Sequence, residues 1–168
     1  MNSPPTDKRT DYMRLALSCA QQSPPKPTNF RVGAVLVDAD KDIVLATGYT
    51  LELPGNTHAE QCCFMKLTTG KQEDSVGDLL PPHTVIYTTM EPCTIRLSGN
   101  TPCVDRILQT QKGKHGGIKT VYVGVYEPSK FVEQNDGRQK LMDAGIEFIY
   151  VPGFEDEILK VATQGHSG

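Results

Sequence analysis

Thr57-His58-Ala59-Glu60, then Glu91-Pro92-Cys93, then Cys103 are the stretches on which the reading of this chain turns. They supply one imidazole, two thiols and a carboxylate two residues from the imidazole that need not touch a metal. Three N/S ligands with an open fourth position mark a catalytic zinc site, where bound water becomes hydroxide near neutral pH. A structural zinc site needs four protein ligands. Cys62, four residues after His58 on the same helix face, is available as the fourth. Cys62, Cys63 and Cys19 read better as small buried residues.

Working outward, residues 58–67 read as a helix with Asn56 or Thr57 as its N-cap and Gly70 near its end. Residues 71–82 read as a polar surface loop, 84–88 as a strand running into Glu91-Pro92-Cys93, and Pro102 as the first turn of a helix reaching about Thr110. Upstream, Tyr12, Leu15, Ala16, Cys19 and Ala20 recur at helical spacing across residues 7–22, and Ser23-Pro24-Pro25-Lys26-Pro27 stops that helix. Two β-branched runs, 32–37 and 43–47, flank the turn Asp38-Ala39-Asp40-Lys41-Asp42 and read as a hairpin. Downstream, 119–125 is a strand, 136–144 a helix, 146–151 a strand and 154–162 a short helix. After the hairpin the order is α-β-α-β-α-β, so helices should cover a central, mostly parallel sheet in a three-layer α/β/α domain. Residues 1–6 are expected to be a disordered lead-in and 7–168 one domain.

The 168-residue chain is 38% hydrophobic, enough for one core. No apolar run approaches the ~20 residues of a membrane span. Met1-Asn2-Ser3-Pro4-Pro5-Thr6 lacks the apolar stretch of a secretory signal. The expectation is an intracellular protein, cytoplasmic or nuclear, with thiols kept free for metal. With 17 basic and 20 acidic residues the net charge is -3, and Lys112-Gly113-Lys114-His115 is the nearest approach to a basic stripe. That weighs against a base within RNA or DNA as substrate, because phosphate neutralisation carries most such affinity. A small soluble substrate suits the charge better. His83, His115 and His166 sit in no ligand-like pattern and read as surface residues.

The combination of a histidine, a non-ligand glutamate and a Pro-Cys pair resembles the zinc-dependent deaminases. In many of these the second cysteine follows at C-x-x-C distance, whereas here nine residues separate Cys93 from Cys103. Pro54-Gly55-Asn56-Thr57-His58-Ala59-Glu60-Gln61-Cys62 and the long insert, Thr94-Ile95-Arg96-Leu97-Ser98-Gly99-Asn100-Thr101-Pro102, resemble the fungal riboflavin-pathway pyrimidine deaminases. The similarity runs over residues 12–149. It is looser to the bacterial counterparts, whose insert carries a histidine and a basic residue where this chain has Ile95 and Asn100, and which carry a fused reductase domain. Both departures favour the fungal order, in which the sugar is opened before deamination.

The resemblance implies a cytidine-deaminase-like fold with a five-stranded mixed sheet and Zn²⁺ held between two helix N-termini by His58, Cys93 and Cys103. It implies Glu60 as the proton shuttle and Asn29 as a substrate contact. The substrate would be a small phosphorylated pyrimidine, a diamino-ribitylamino-pyrimidinone 5′-phosphate, with a homodimer as the assembly and neither nucleic acid nor membrane as partner. Arg96, Ser98 and Asn100 can meet the substrate from the insert, or Arg96 can tie the insert to itself. Asn29 is equally good turn chemistry after Pro27-Thr28, and Glu91 can contact substrate or bond its own turn. A tRNA adenosine deaminase, a free-nucleotide deaminase of the dCMP type, and a non-enzymatic zinc scaffold are the competing readings.

Overall fold

The computed structural model describes residues 5–27, 29–68, 73–93, 101–126 and 137–165. Helix α1 (Pro5–Ala20) leads into β1 (Gly33–Asp38) and β2 (Ile43–Tyr49), followed by α2 (Ala59–Leu67) and β3 (Thr84–Met90). Then come α3 (Cys103–Gln109), β4 (Ile118–Val125), α4 (Gly137–Asp143), β5 (Glu147–Tyr150) and α5 (Glu155–Ala162). Residues 1–4, part of the expected lead-in, and Gly70 lie outside the described residues.

Turn chemistry builds the hairpin. Asp38 Oδ1 accepts the backbone N–H groups of Asp40 and Lys41 at 3.0 and 3.3 Å, and Asp42 takes the left-handed conformation at φ 57°. The strands lie in the order β2-β1-β3-β4-β5. Strand β1 runs antiparallel to both β2 and β3, whereas β3, β4 and β5 are mutually parallel. The sheet is therefore the five-stranded mixed one that the resemblance implies, with its parallel part confined to β3, β4 and β5. A hairpin whose first strand inserts beside β3 brings two antiparallel pairings, and helical periodicity does not reveal that register.

Every residue of β1 and of β3 is buried, which is the mark of strands covered on both faces. Val35, Val37, Val85 and Tyr87 face one layer, with Met13, Ala16, Leu17 and Ile158 of α1 and α5. Ala34, Leu36, Ile86, Val121 and Val123 face the other, with Phe64, Val104, Ile107 and Leu141 of α2, α3 and α4. The period-two alternation of these strands thus feeds two cores, giving three layers.

Three local expectations are corrected. The seam of α1 is Met13, Ala16, Leu17 and Ala20, while Leu15 stays 36% exposed. Gly33 explains the choice: a Cβ there would stand 1.8 Å from the Ala16 carbonyl oxygen, so α1 lies directly on β1 along its Ala16–Ala20 face. The stretch read as a surface loop contains a 3₁₀ helix, Glu73–Leu79, that buries Val76 and sends Leu80 into the second core. Val76, Leu79 and Leu80 in an acidic segment are too few for a periodicity signal. The N-cap of α2 is His58 itself, in extended backbone (φ -96°, ψ 161°), rather than Asn56 or Thr57. Among the described residues no helix is long and apolar enough to cross a membrane.

Gly48 sets the position of α2. A Cβ there would meet the Ala59 carbonyl oxygen at 2.3 Å and the Cys62 Cβ at 3.0 Å, so β2 and the first turn of α2 approach backbone to backbone. Gly48→Ala should therefore lower the unfolding free energy by ~1–3 kcal/mol through overpacking. Urea denaturation measures this, and wild-type stability in the variant would contradict the close packing.

Candidate active site

The N-cap position places His58 where its ring leaves the helix and meets other elements. Its carbonyl accepts the first helical bond from the Cys62 N–H at 2.9 Å, and its own N–H donates to Gln61 Oε1 at 3.2 Å. The preceding loop is fixed by the Leu51 N–H to the Thr57 carbonyl (2.8 Å) and by the Thr57 hydroxyl to the Leu53 carbonyl (2.9 Å). Cys93 follows β3, whose ladder to β4 continues through the Glu91 N–H to the Val125 carbonyl at 2.9 Å. Cys103 opens α3. Two elements of the second layer and the end of the central strand thus converge.

His58 Nδ1 lies 3.6 Å from Cys93 Sγ and 3.5 Å from Cys103 Sγ, and the three donor atoms sit within 4.8 Å of one another. Zinc bonds of ~2.3 Å to sulfur and ~2.0–2.1 Å to nitrogen, set at a tetrahedral angle, separate N from S by about 3.6 Å. The donor set and its spacing therefore fit zinc. The Cys103 backbone N–H donates to Cys93 Sγ at 3.3 Å. Cys93 is held far below the ordinary thiol value, to about 4, first by the hydrogen bond from the Cys103 thiol and then by His58 and the Cys103 N–H, against burial. A thiolate is what a metal ligand must be.

Cys62 does not complete the set. Its sulfur turns to the Tyr49 carbonyl at 3.5 Å, and Cys19, Cys62 and Cys63 are buried and unbridged. Helix spacing puts Cys62 under His58, but an N-cap ring points away from the face that the helix interior presents.

Glu60, in the first turn of α2, is buried beside the donor group. Burial, and then the negative charge of Cys93, push its carboxyl above the usual carboxylate value. Its Oε2 accepts a hydrogen bond from the Thr88 hydroxyl at 3.3 Å. A cleft of about 180 Å³ opens onto Glu60, His58 and Cys93, with Asn29, Phe30, Met90 and Glu91 on its walls. It can admit a single heterocyclic ring up to the donor group.

Asn29 stands on the cleft wall and donates its amide N–H to Asn56 Oδ1 at 3.1 Å, so it occupies a site position and a loop-tying one together. Glu91 lines the same cleft, and its carboxylate accepts from Arg138 Nε at 3.2 Å. The Arg138 guanidinium in turn lies 4.1 Å from the Tyr126 ring centroid. Neither Thr88 nor Arg138 is visible as a site residue in the sequence, since each reaches its partner from a distant segment. Arg96, Ser98 and Asn100 lie outside the described residues, as does His166. His83 and His115 are exposed, as expected of surface histidines.

Residues 6–124 match the profile of the cytidine and deoxycytidylate deaminase zinc-binding region. The chain is 38% identical over 156 residues to a diaminohydroxyphosphoribosylamino-pyrimidine deaminase of Schizosaccharomyces pombe, covering 93% of this chain but only 35% of that protein. The chain thus spans about a third of the length of that curated relative. Among solved structures it is similar to the Aspergillus oryzae Rib2 deaminase in complex with DARIPP, at 47% identity and TM-score 0.87, covering 95% of this chain and 92% of that one. It is also similar to a Thermotoga maritima deaminase/reductase, at 27% identity and TM-score 0.70, covering 95% of this chain and 40% of that one. A guanine deaminase from Nitrosomonas europaea, 13% identical with TM-score 0.62 over 96% of this chain and 84% of its own, shares the fold.

If the imidazole and the two thiols hold the ion, Cys93→Ala should lose most of the zinc while Cys62→Ala keeps the wild-type stoichiometry. Elemental analysis of dialysed protein checks this. Equal loss in both variants would mean that Cys62 completes a structural site.

Proposed function

The chain belongs to the cytidine and deoxycytidylate deaminase zinc-binding family, and from that membership we propose that it hydrolytically deaminates a diamino-ribitylamino-pyrimidinone 5′-phosphate in riboflavin biosynthesis. The observation that carries the reading is the convergence of His58, Cys93 and Cys103 on one point, with the enclosed Glu60 carboxyl beside them at the floor of a cleft. The Schizosaccharomyces relative and the Aspergillus complex support the substrate class.

His58 Nδ1 and the two cysteine sulfurs would hold zinc as ligands. When bound, the ion supplies Lewis acidity that brings water to hydroxide near neutral pH. Glu60 takes the proton released as water adds to the amino-bearing ring carbon and hands it to the adjacent ring nitrogen. A C–O bond forms in this step. Glu60 then takes the hydroxyl proton of the adduct and delivers it to the amino group; the C–N bond breaks, ammonia leaves and a ring carbonyl remains. The upward displacement of the Glu60 carboxyl suits this double duty, because a general acid-base works best with its pKa near the operating pH. The cleft wall, by enclosing the ring, keeps competing water out.

Asn29 binds the substrate edge in this reading, with Asn56 holding its amide. Arg96, Ser98 and Asn100 contribute from the Cys93–Cys103 insert: the planar guanidinium suits a phosphate or carbonyl edge, and the two short polar side chains suit ribityl hydroxyls. A cytoplasmic or nuclear homodimer completes the proposal, and analytical ultracentrifugation reads the assembly.

Ammonia release should be fastest with the ribitylamino-pyrimidinone phosphate among a series that includes its ribosyl form, cytidine, dCMP and a tRNA anticodon arm. Glu60→Gln should keep fold and zinc and lose ~10²–10⁴-fold in turnover. Faster turnover of dCMP would assign the chain to nucleotide metabolism, and metal retention without ammonia release from any of these would leave a zinc scaffold.

A further inference from the structure

Thr88 is a hydroxyl in an apolar setting. It lies on β3 between Ala34 of β1 and Val123 of β4 and is fully buried. Ile86, two residues earlier on the same face, belongs to the second core with Ala34 and Val123. Valine would fill this position with nearly the same shape and without a polar group to satisfy. The hydroxyl is satisfied by two acceptors: the Met90 carbonyl at 2.8 Å and Glu60 Oε2 at 3.3 Å. It is thereby held between the end of the central strand and the first turn of α2.

We propose that Thr88 is a positioning residue for Glu60, pinning Oε2 against the sheet so that Oε1 is the oxygen presented to the reacting water and ring nitrogen. The proposal rests on the assignment of Glu60 as proton shuttle. A hydroxyl has one proton, which it can share between two acceptors. Thr88 reaches Glu60 Oε2 and the Met90 carbonyl from one position, so the contact ties the carboxyl to the end of β3 without displacing the side chain. A carboxyl that must reach two atoms in turn gains from one fixed oxygen, because proton transfer needs heavy-atom distances of ~2.6–3.2 Å. Without the pin Oε2 loses its contact with the sheet, and the last torsion of a glutamate is broad.

Thr88→Val removes the hydroxyl at nearly constant volume, and Thr88→Ser restores it. In zinc-loaded protein, Thr88→Val should lower kcat ~10–100-fold, the range expected for one hydrogen bond to a charged group, with KM and zinc content little changed. Thr88→Ser should recover most of kcat, and Thr88→Val should add nothing in a Glu60→Gln background. Crystal structures of the zinc-loaded proteins give a readout free of turnover. The Glu60 carboxylate should keep one orientation in the wild type and in Thr88→Ser, and should rotate or split in Thr88→Val. An unmoved Glu60 in Thr88→Val, wild-type kcat in that variant, or equal losses in the valine and serine variants would overturn the proposal. Wild-type turnover in Glu60→Gln alone would instead overturn the shuttle assignment, and the Glu60 orientation in Thr88→Val would still decide whether Thr88 holds it.

Discussion

Two sulfurs within 3.6 Å of one imidazole nitrogen, at the floor of a cleft, set the constraint on which the rest of this molecule depends. Three polar donors gathered out of water lose hydration and face each other's lone pairs, which costs free energy unless a cation sits among them. The surrounding structure is the apparatus that imposes the gathering. Strand β3 delivers Cys93, α3 delivers Cys103, and α2 delivers His58 from its N-cap. Gly48 allows α2 to sit close enough to the sheet for the ring to arrive. The Cys103 N–H to Cys93 contact ties the two thiol segments together before any metal is considered.

The same arrangement fixes the electrostatics of the cleft. Thiolate at Cys93 is favoured by donors from Cys103 and His58, and that negative charge is one of the two reasons the Glu60 carboxyl holds its proton more tightly. Cys93 and Glu60 are therefore coupled through space. Glu91 brings a second carboxylate to the cleft, but Arg138 compensates it from α4, and an aromatic ring lies under that guanidinium. The result is a narrow cleft in which the Glu91 carboxylate is answered by Arg138.

The sequence discloses those parts of the molecule where chemistry and periodicity coincide. His58, Cys93 and Cys103 are rare residue types at telling spacings, and the structure brings them to one point. The Asp-rich hairpin turn and the strands built on β-branched runs were equally legible. The α1 seam was ambiguous because apolar residues allow two overlapping stripes, and the contact with Gly33, distant in sequence, selects one. The N-cap of α2 is not legible because histidine is not a favoured capping residue; as N-cap, His58 carries its ring outside the helix. Thr88 and Arg138 are not legible in the sequence, because hydrogen bonds across 28 and 47 residues leave no local pattern.

X-ray absorption at the zinc edge of the metal-loaded protein most directly tests a three-ligand zinc site with its fourth position open to water. Ligation by His58, Cys93, Cys103 and one water should give two sulfur scatterers at ~2.3 Å and two nitrogen or oxygen scatterers at ~2.0–2.1 Å. A shell with three sulfurs would mean that Cys62 has closed the site into a structural one, and a shell of light atoms alone would place the zinc elsewhere; either would contradict ligation by His58, Cys93 and Cys103 alone.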